Sequence, residues 1–233
     1  MGGPIRLDPA CQPGTGGVFD GPPGGRPSGP ARPFGSGFGT VTAEKFRPLS
    51  NRLLDPILRL LAAAGVRPDL VTLAGFGLSL GAALLVLADH RALAGVVFWL
   101  AGLTDLLDGG LARLTGRATK FGALLDSTLD RLSEAAVLGA LGVIFARGGD
   151  EVGVGLAFGA AIFGLITSYV RARAEGLGLK ANVGLADRGV RVTLLGAGLL
   201  LGPVKEVLGL LTLLGALTAL QRVRHARRQA AGH

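Results

Sequence analysis

The sequence DLLDGGLARLTGRATKFGALLDSTLD occupies residues 105–130 and places four aspartates within largely apolar surroundings. Asp105 and Asp108 are three residues apart, and Asp126 and Asp130 are four apart, so each pair projects from one face of a helix. The short turn between the two helices predicts that they are antiparallel neighbours and that the four carboxylates converge. An ionised side chain inside a membrane helix costs at least about 2.5 kcal/mol unless it is paired or coordinated.

The residue types in this stretch indicate metal and phosphate chemistry. Neighbouring carboxylates repel one another unless cations neutralise them, and the cations within the same helices are too few to pair all four acids. Oxygen ligands favour a hard ion, so the four aspartates predict a Mg²⁺ or Mn²⁺ site. Gly109 and Gly122 flank the acids and permit a close approach, and Arg113 can bind phosphate oxygens bidentately. Metal together with arginine indicates a diphosphate substrate.

The composition of the whole chain indicates a membrane protein. Of its 233 residues, 49% are hydrophobic and 17% are charged, and the mean hydropathy is +0.50, which is too apolar for an ordinary soluble domain. The net charge of +8 does not imply a nucleic-acid partner, because the basic residues fall between apolar runs and form no continuous stripe. Cys11 is the single cysteine, which excludes an intrachain disulfide and a cysteine metal cluster.

Four segments are predicted along the chain. Residues 1–40 hold 12 glycines and 8 prolines, a composition that cannot bury enough surface to offset the entropy of ordering. Residues 45–64 place leucines at helical spacing, which fits a helix lying in the membrane interface or packed on the protein's own surface. The predicted segments are a disordered tail at 1–42, an amphipathic juxtamembrane helix at 43–66, a six-helix membrane domain at 67–226 and a basic C-terminal tail at 227–233.

The predicted fold is an all-α integral membrane protein with six transmembrane helices preceded by an amphipathic interfacial helix. A bilayer core needs about 20 helical residues to cross it. Pro203, Lys205 and Glu206 divide the last apolar region into two short halves. The six apolar stretches are 70–88, 92–112, 121–146, 152–170, 190–202 and 204–221.

Lysine and arginine lie mainly on one side of this six-span layout. By the positive-inside rule that side, with both termini, is predicted to face the cytoplasm, which makes the protein a multi-pass protein of the inner cell membrane. The acids then lie at the cytoplasmic ends of spans two and three. The opposite side carries Arg91, Arg147 and Lys205, whereas the cytoplasmic side carries Arg113, Arg117, Lys120, Arg171, Arg173, Lys180, Arg188, Arg191, Arg222, Arg224, Arg227 and Arg228.

The acidic stretch resembles the signature of the CDP-alcohol phosphotransferases, D-x₂-D-G-x₂-A-R-x₈-G-x₃-D-x₃-D, with every spacing intact. The resemblance extends over about residues 50–225 and excludes the tail. It implies transfer of a phosphatidyl or similar lipid-phosphate group from a CDP-linked lipid to a small polar alcohol, with release of CMP, in phospholipid biosynthesis. The matching positions are Asp105, Asp108, Gly109, Ala112, Arg113, Gly122, Asp126 and Asp130.

The same resemblance implies roles for individual residues. Asp105, Asp108, Asp126 and Asp130 would bind two divalent ions, and Asp130 would also take the proton from the acceptor hydroxyl. Thr72 ends a family motif Pro-Asn-x-x-Thr, in which Asp69 here replaces the asparagine. The residues implied in binding the CDP-lipid are Thr72, Asp105, Gly109, Ala112, Arg113 and Gly122.

The segment SYVRARAEGLGLKANVGLADRGVR at residues 168–191 bears on the acceptor. Its excess of cations predicts an acceptor that carries phosphate, although such cations could also serve only to set the topology. The segment resembles the S-Y-x-[KR]-A-R-A-E and E-R-x-x-R pattern of prokaryotic synthases that use inositol phosphate, with Asp187 and Arg188 in place of the first Glu-Arg. The acceptor pocket implied by this resemblance comprises Ser168, Arg171, Arg188, Arg191 and Arg222.

Alternatives remain open from the sequence. The acceptor could be glycerol 3-phosphate, serine or free inositol, and the donor could be CDP-diacylglycerol or a CDP-ether lipid. Paired membrane aspartates also occur in cation transporters, but a transporter site is expected near the bilayer midplane. Spans rich in small residues also permit a homodimer among the membrane lipids.

Overall fold

The computed structural model describes residues 54–231, and this range is entirely helical apart from its connections. The predicted tail at 1–42, the first part of the juxtamembrane segment and Cys11 lie outside the described residues. Each of the six predicted apolar stretches coincides with a helix to within a few residues, except that the helices at the fourth and sixth stretches, Glu151–Gly176 and Val204–Ala231, run further. The helices are α1 at residues 54–63, α2 at Pro68–Leu87, α3 at Arg91–Leu114, α4 at Lys120–Arg147, α5 at Glu151–Gly176, α6 at Arg188–Leu201 and α7 at Val204–Ala231.

The helices differ in how well they meet the requirements of a membrane span. By length and composition, α2, α3, α5 and α7 could each cross a bilayer. The helix α4 has 28 residues but carries several charged side chains. The helix α6 has 14 residues and is therefore about 21 Å long, shorter than a hydrocarbon core of about 30 Å. The prediction of an all-α membrane protein is confirmed, and the number of six spans stays a prediction.

The outer surface of the helical bundle is strongly apolar. Leu84, Phe158 and Leu201 expose 66%, 68% and 75% of their surface, and many other leucines and valines point outward in the same way. A soluble protein rarely exposes so much contiguous apolar surface. This surface therefore suits contact with lipid chains.

The helix α2 lies against both α3 and α4. Small residues permit this close packing: a Cβ at Gly75 would collide with the side chain of Thr104, and Ala82 and Val86 are fully buried. The helices α3 and α4 pack mainly on α2 and hardly on each other. The prediction that α3 and α4 are antiparallel neighbours is therefore wrong as to direct packing, because α2 lies against both helices.

The remaining helices complete the bundle through glycine contacts. The helix α5 packs on α4 and α7, and α6 packs on α3 and α7. A Cβ at Gly95 on α3 would lie 2.7 Å from the carbonyl oxygen of Gly196 on α6. A Cβ at Gly215 on α7 would lie 2.8 Å from Cβ of Phe163 on α5. These glycines let the helices approach closely, as is common among membrane helices.

The helix α1 packs on the bundle with one face. Leu58 is 7% exposed and packs with Val71 and Leu111, whereas Ile57 and Leu60 remain 43% and 70% exposed. One face of α1 therefore contacts protein and another presents apolar side chains outward. Its location in the membrane interface stays a prediction.

The helix α7 continues to Ala231. It therefore extends through residues 227–231 of the predicted C-terminal tail. The predicted boundary between membrane domain and tail, at residue 226, lies inside this helix.

Candidate active site

Three of the four predicted metal ligands lie together. Carboxylate oxygens of Asp105, Asp126 and Asp130 are within 4.8 Å of one another, and we call these three residues the acid cluster. Asp105 comes from α3, and the other two lie one turn apart on α4. The start of α4 is fixed by Thr119, whose hydroxyl accepts a hydrogen bond from the Gly122 N–H at 2.9 Å. Three of the four aspartates, from two helices, thus converge on one site, as their spacing predicted.

Asp108 lies beside the acid cluster and is held by α2. It is 5% exposed, and its carboxylate accepts a hydrogen bond of 2.7 Å from the hydroxyl of Thr72. The charges of Asp108 and Asp126 are close enough to interact. The structure therefore brings Thr72, predicted to contact the CDP-lipid, to the edge of the acidic site.

Arg188 reaches into the acid cluster from the start of α6. Its Nη2 lies 2.8 Å from Oδ1 of Asp130, and its Nη1 contacts Oδ2 of Asp105. Arg188 and the nearby Arg131 still leave an excess of negative charge, because the acid cluster holds three carboxylates and Asp108 lies beside it. Convergent carboxylate oxygens with excess negative charge are a donor set that suits a hard divalent ion. The residues present therefore fit the predicted metal.

The residues predicted to bind the CDP-lipid on α3 and α4 lie beside the acids in the sequence. The guanidinium of Arg113 folds over Gly109, with Nη1 3.4 Å from the position that a Cβ there would take. A Cβ at Gly122 would lie 3.3 Å from Oδ1 of Asp69. Ala112 is partly buried between these positions in the sequence. A larger residue at Gly109 or Gly122 would therefore encroach on Arg113 or Asp69.

Ser168 and Arg171 lie near the end of α5. The Ser168 hydroxyl donates a hydrogen bond of 3.1 Å to the carbonyl oxygen of Gly164, and the Arg171 guanidinium is 2.9 Å from Glu175. The Arg171 side chain retains 19% exposure. Both residues stay candidates for binding the acceptor.

Arg191 and Arg222 are buried and engaged within the protein. Arg191 is 4% exposed and forms a bidentate ion pair with Glu134, at 2.7 and 2.8 Å. Arg222 is 6% exposed and donates hydrogen bonds to the carbonyl oxygens of Val183, at 2.9 Å, and Thr167, at 2.6 Å. Their contact with an acceptor stays a prediction, and the observed contacts give both a role in holding the site together.

Sequence reasoning missed the partners of the cations. Arg188 pairs with acids on α3 and α4, and Arg191 pairs with Glu134 across 57 positions of the sequence. The one local signal was that Glu134 continues the face of Asp126 and Asp130 by a further turn. Spacing alone does not show which cation meets that face.

Comparison with known proteins gives a consistent assignment for the membrane domain. Residues 66–223 match the CDP-alcohol phosphatidyltransferase family. The archaetidylinositol phosphate synthase of Pyrococcus horikoshii is 36% identical over 187 residues, which cover 79% of this chain and 96% of that protein. The phosphatidylinositol phosphate synthase of Cutibacterium acnes is 36% identical over 206 residues, which cover 79% of this chain and 97% of that protein.

Solved structures of a related protein have the same fold. The crystal structure of Mycobacterium tuberculosis phosphatidylinositol phosphate synthase (PgsA1) with CDP-DAG bound has a TM-score of 0.69 and 30% identity, covering 75% of this chain and 94% of that one. The same protein in complex with manganese and citrate has a TM-score of 0.67 and 31% identity, covering 73% of this chain and 87% of that one. The likeness extends over nearly all of the related chain.

Proposed function

The chain belongs to the CDP-alcohol phosphatidyltransferase family, and from this premise we propose that it transfers a phosphatidyl group, or its ether-lipid equivalent, from a CDP-linked lipid to inositol phosphate. CMP is the leaving group, and the product is a precursor in phospholipid biosynthesis. The observation that carries this proposal is the meeting of Arg188 with the acid cluster. It puts a phosphate-binding cation and a metal-binding donor set in one site.

The relatives support the donor, the metal and the acceptor. Relatives named as synthases of phosphatidylinositol phosphate and archaetidylinositol phosphate align over most of their length. One solved relative binds CDP-DAG, and another crystal of it contains manganese. We infer that this chain binds a CDP-linked lipid and two divalent ions, Mg²⁺ or Mn²⁺, through Asp105, Asp108, Asp126 and Asp130.

Each side chain then has a defined task in the transfer. Divalent ions at this site supply charge that polarises the diphosphate and stabilises the departing CMP phosphate. Arg113 binds the diphosphate oxygens beside Gly109. Asp130 accepts the proton of the acceptor hydroxyl, so that the oxygen can form its bond to phosphorus as the bond to CMP breaks. Thr72 keeps Asp108 oriented through the hydrogen bond of 2.7 Å.

The acceptor is bound from the opposite side of the acid cluster. We propose that Ser168 and Arg171 on α5 and Arg188 on α6 bind the acceptor, whose phosphate would form charge-assisted hydrogen bonds with the two arginines. Arg191 and Arg222 support this side from behind, through the ion pair with Glu134 and the hydrogen bonds to backbone carbonyls. A phosphorylated alcohol held here presents its hydroxyl to Asp130.

We propose that all six helices from α2 to α7 span the membrane of the cell, with α1 in the interface and the site facing the cytoplasm. The polar residues Asp130, Glu134 and Arg191 are buried inside the bundle, which is where charged residues of membrane helices are tolerated. The distribution of arginine and lysine supports the orientation. Association into a homodimer and the limits of the predicted segments stay predictions.

An acceptor panel tests the proposed function. Purified protein receives Mg²⁺, a CDP-linked diacyl or dialkyl ether lipid, and one acceptor from inositol phosphate, glycerol 3-phosphate, serine and free inositol. Release of CMP is measured. We expect release with inositol phosphate, and the two lipid arms identify the donor. Release only with glycerol 3-phosphate would reassign the acceptor, and no release in any arm would contradict a transferase.

A further inference from the structure

The connection between α5 and α6, residues 177–187, leads directly to Arg188 and is held by α7. We call this connection the α5–α6 loop. In the part of the chain that the structure describes, no side chain of α7 belongs to the acid cluster. Yet three side chains of α7 form hydrogen bonds with the backbone of the loop. Thr218, Arg222 and Gln229 are spaced by four and seven residues, so they share one face of the helix, and we call them the loop clamp.

Gln229 fixes the beginning of the α5–α6 loop with two hydrogen bonds to one residue. Its Oε1 accepts from the Lys180 N–H at 2.9 Å, and its Nε2 donates to the Lys180 carbonyl oxygen at 2.6 Å. The side-chain amide therefore pairs with both backbone groups of Lys180. Removing the side chain removes both hydrogen bonds at once.

Arg222 and Thr218 fix the rest of the loop. Arg222 donates to the carbonyl oxygen of Val183. The hydroxyl of Thr218 accepts a hydrogen bond of 3.1 Å from the N–H of Ala186, and both residues are fully buried. Gly184 has φ +132, and a Cβ there would collide with the side chain of Thr218. A glycine at this position therefore lets the loop lie directly on α7.

Ala186 connects the loop clamp to the active site. Its N–H is bonded to Thr218 on α7, and its carbonyl oxygen accepts a bond of 3.5 Å from Nη1 of Arg191. Asp187 follows and caps α6, accepting a hydrogen bond of 3.0 Å from the Val190 N–H. Arg188 is the next residue. The position of its backbone is therefore set by contacts with α7 on one side and with the Glu134–Arg191 pair on the other.

We propose that Thr218 and Gln229 are positioning residues for the acceptor: with Arg222 they hold the α5–α6 loop so that Arg188 points at the acid cluster. This inference rests on the proposed function. The predicted donor-binding residues lie on α2, α3 and α4, and the hydrogen bonds of the loop clamp go to α5 and the α5–α6 loop instead. Loosening the clamp therefore weakens acceptor binding and leaves binding of the CDP-lipid unchanged.

Steady-state kinetics of the full-length enzyme test the proposal. Gln229→Ala removes the two bonds to Lys180, and Gln221→Ala is the matched control, because the Gln221 side chain is exposed on the same helix and forms no hydrogen bond with residues 54–231. We expect Gln229→Ala to raise the KM for the acceptor about threefold to tenfold, with kcat and the KM for the CDP-lipid within about twofold of wild type. Gln221→Ala should match wild type in all three.

Variants at Thr218 add a conservative rescue. Thr218→Val keeps the shape and removes the acceptor of the Ala186 N–H, so it should raise the acceptor KM at least as much as Gln229→Ala. Thr218→Ser keeps the hydroxyl and should have an acceptor KM close to that of wild type. Hydrogen exchange gives a second readout, because the amides of Lys180 and Ala186 should exchange faster in the respective variants. If Thr218→Val does not fold, Gln229→Ala still tests the proposal, because the contact of Gln229 with Lys180 lies at the exposed end of α7 and its loss should not prevent folding.

Two outcomes overturn the loop clamp. One is an unchanged acceptor KM in Gln229→Ala although the Lys180 amide exchanges faster. The other is an equal rise in both KM values, which indicates a general loss of structure. If the wild type uses another alcohol, the same comparison is made with the KM for that alcohol. A wild type that uses no alcohol overturns the proposed function, whereas an active wild type with unaffected variants overturns the clamp alone.

Discussion

The acid cluster and the α5–α6 loop form two sides of one site but are built in different ways. The acid cluster comes from two helices joined by a short connection: Asp126 and Asp130 are four residues apart on α4, and Asp105 lies on α3. The cations of the loop side, Arg188 and Arg191, have their partners far along the chain, on α3 and α4. Local spacing determines the first arrangement, and tertiary packing determines the second. Substitutions on the two sides should therefore have different consequences.

The largest effect is expected at the acid cluster itself. Asp130→Asn keeps the size of the side chain but removes the proposed base, so kcat should fall about 10²- to 10⁴-fold. Asp89→Asn is the control, since Asp89 is exposed and its φ of 61 is a conformation that asparagine also tolerates. CMP release from both variants is compared at saturating substrates. A kcat above a tenth of wild type in Asp130→Asn would remove Asp130 from its role as base.

A comparable effect, on stability instead of rate, is expected at the buried ion pair of Glu134 and Arg191. Glu134→Leu leaves the Arg191 guanidinium buried without its partner, which should lower the free energy of unfolding by about 3–5 kcal/mol. Combining it with Arg191→Met should recover most of that loss, because an apolar pair can replace a buried ion pair. Unfolding in detergent measures both. A single Arg191→Met variant that is stable but has a raised acceptor KM would instead show that Arg191 contacts the acceptor.

The two cations next to the acids should separate the two substrates. Arg188→Gln removes charge-assisted hydrogen bonds on the acceptor side, so the acceptor KM should rise about 10- to 100-fold. Arg113→Gln should instead raise the KM for the CDP-lipid by a similar factor. Measuring both KM values in both variants tests the division of the site. If each variant raises the same KM, the acceptor side and the donor side are not distinct.

The smallest effect is expected at the other end of the bundle. Asp150 caps α5 through the Gly153 N–H and lies 2.7 Å from Lys205. The hydrogen bond from Lys205, followed by that from Gly153, lowers the pKa of Asp150 below its ordinary value near 3.8. Because the folded pKa is lowered, the stabilisation is complete above the unfolded pKa and is lost as the pH falls below it. Asp150→Asn retains a good cap and should leave activity within about twofold of wild type.

A melting temperature measured from about pH 3 to pH 7 checks this contribution. Wild type should lose slightly more stability on acidification than Asp150→Asn does. An identical pH profile would show that the ion pair with Lys205 adds nothing.

The sequence predicted most of the fold because its signals are local. The apolar stretches located α2 to α7, since a membrane helix must satisfy its backbone hydrogen bonds within itself. The convergence of Asp105, Asp126 and Asp130 followed from their spacing. The packing of α2 against both α3 and α4 did not follow from spacing, because it depends on close contacts between helices, such as that of Gly75 with Thr104 and the burial of Ala82.

The acceptor side could be predicted only by residue type. The excess of arginine indicated phosphate, but nothing in the sequence distinguished Arg188, which enters the acid cluster, from Arg191, which is buried against Glu134. The hydrogen bonds of Thr218 and Gln229 to the loop had no sequence signal at all. These hydrogen bonds join residues that are 32 to 49 positions apart in the sequence, so they depend on how α7 packs.

Binding of Mn²⁺, followed by electron paramagnetic resonance without any substrate, tests the metal site most directly. Wild type and the Asp89→Asn control should bind Mn²⁺ saturably with the same affinity. Asp126→Asn removes one carboxylate from the acid cluster and should weaken binding at least about tenfold. Equal Mn²⁺ affinity in Asp126→Asn and wild type would contradict a divalent metal site at the acid cluster.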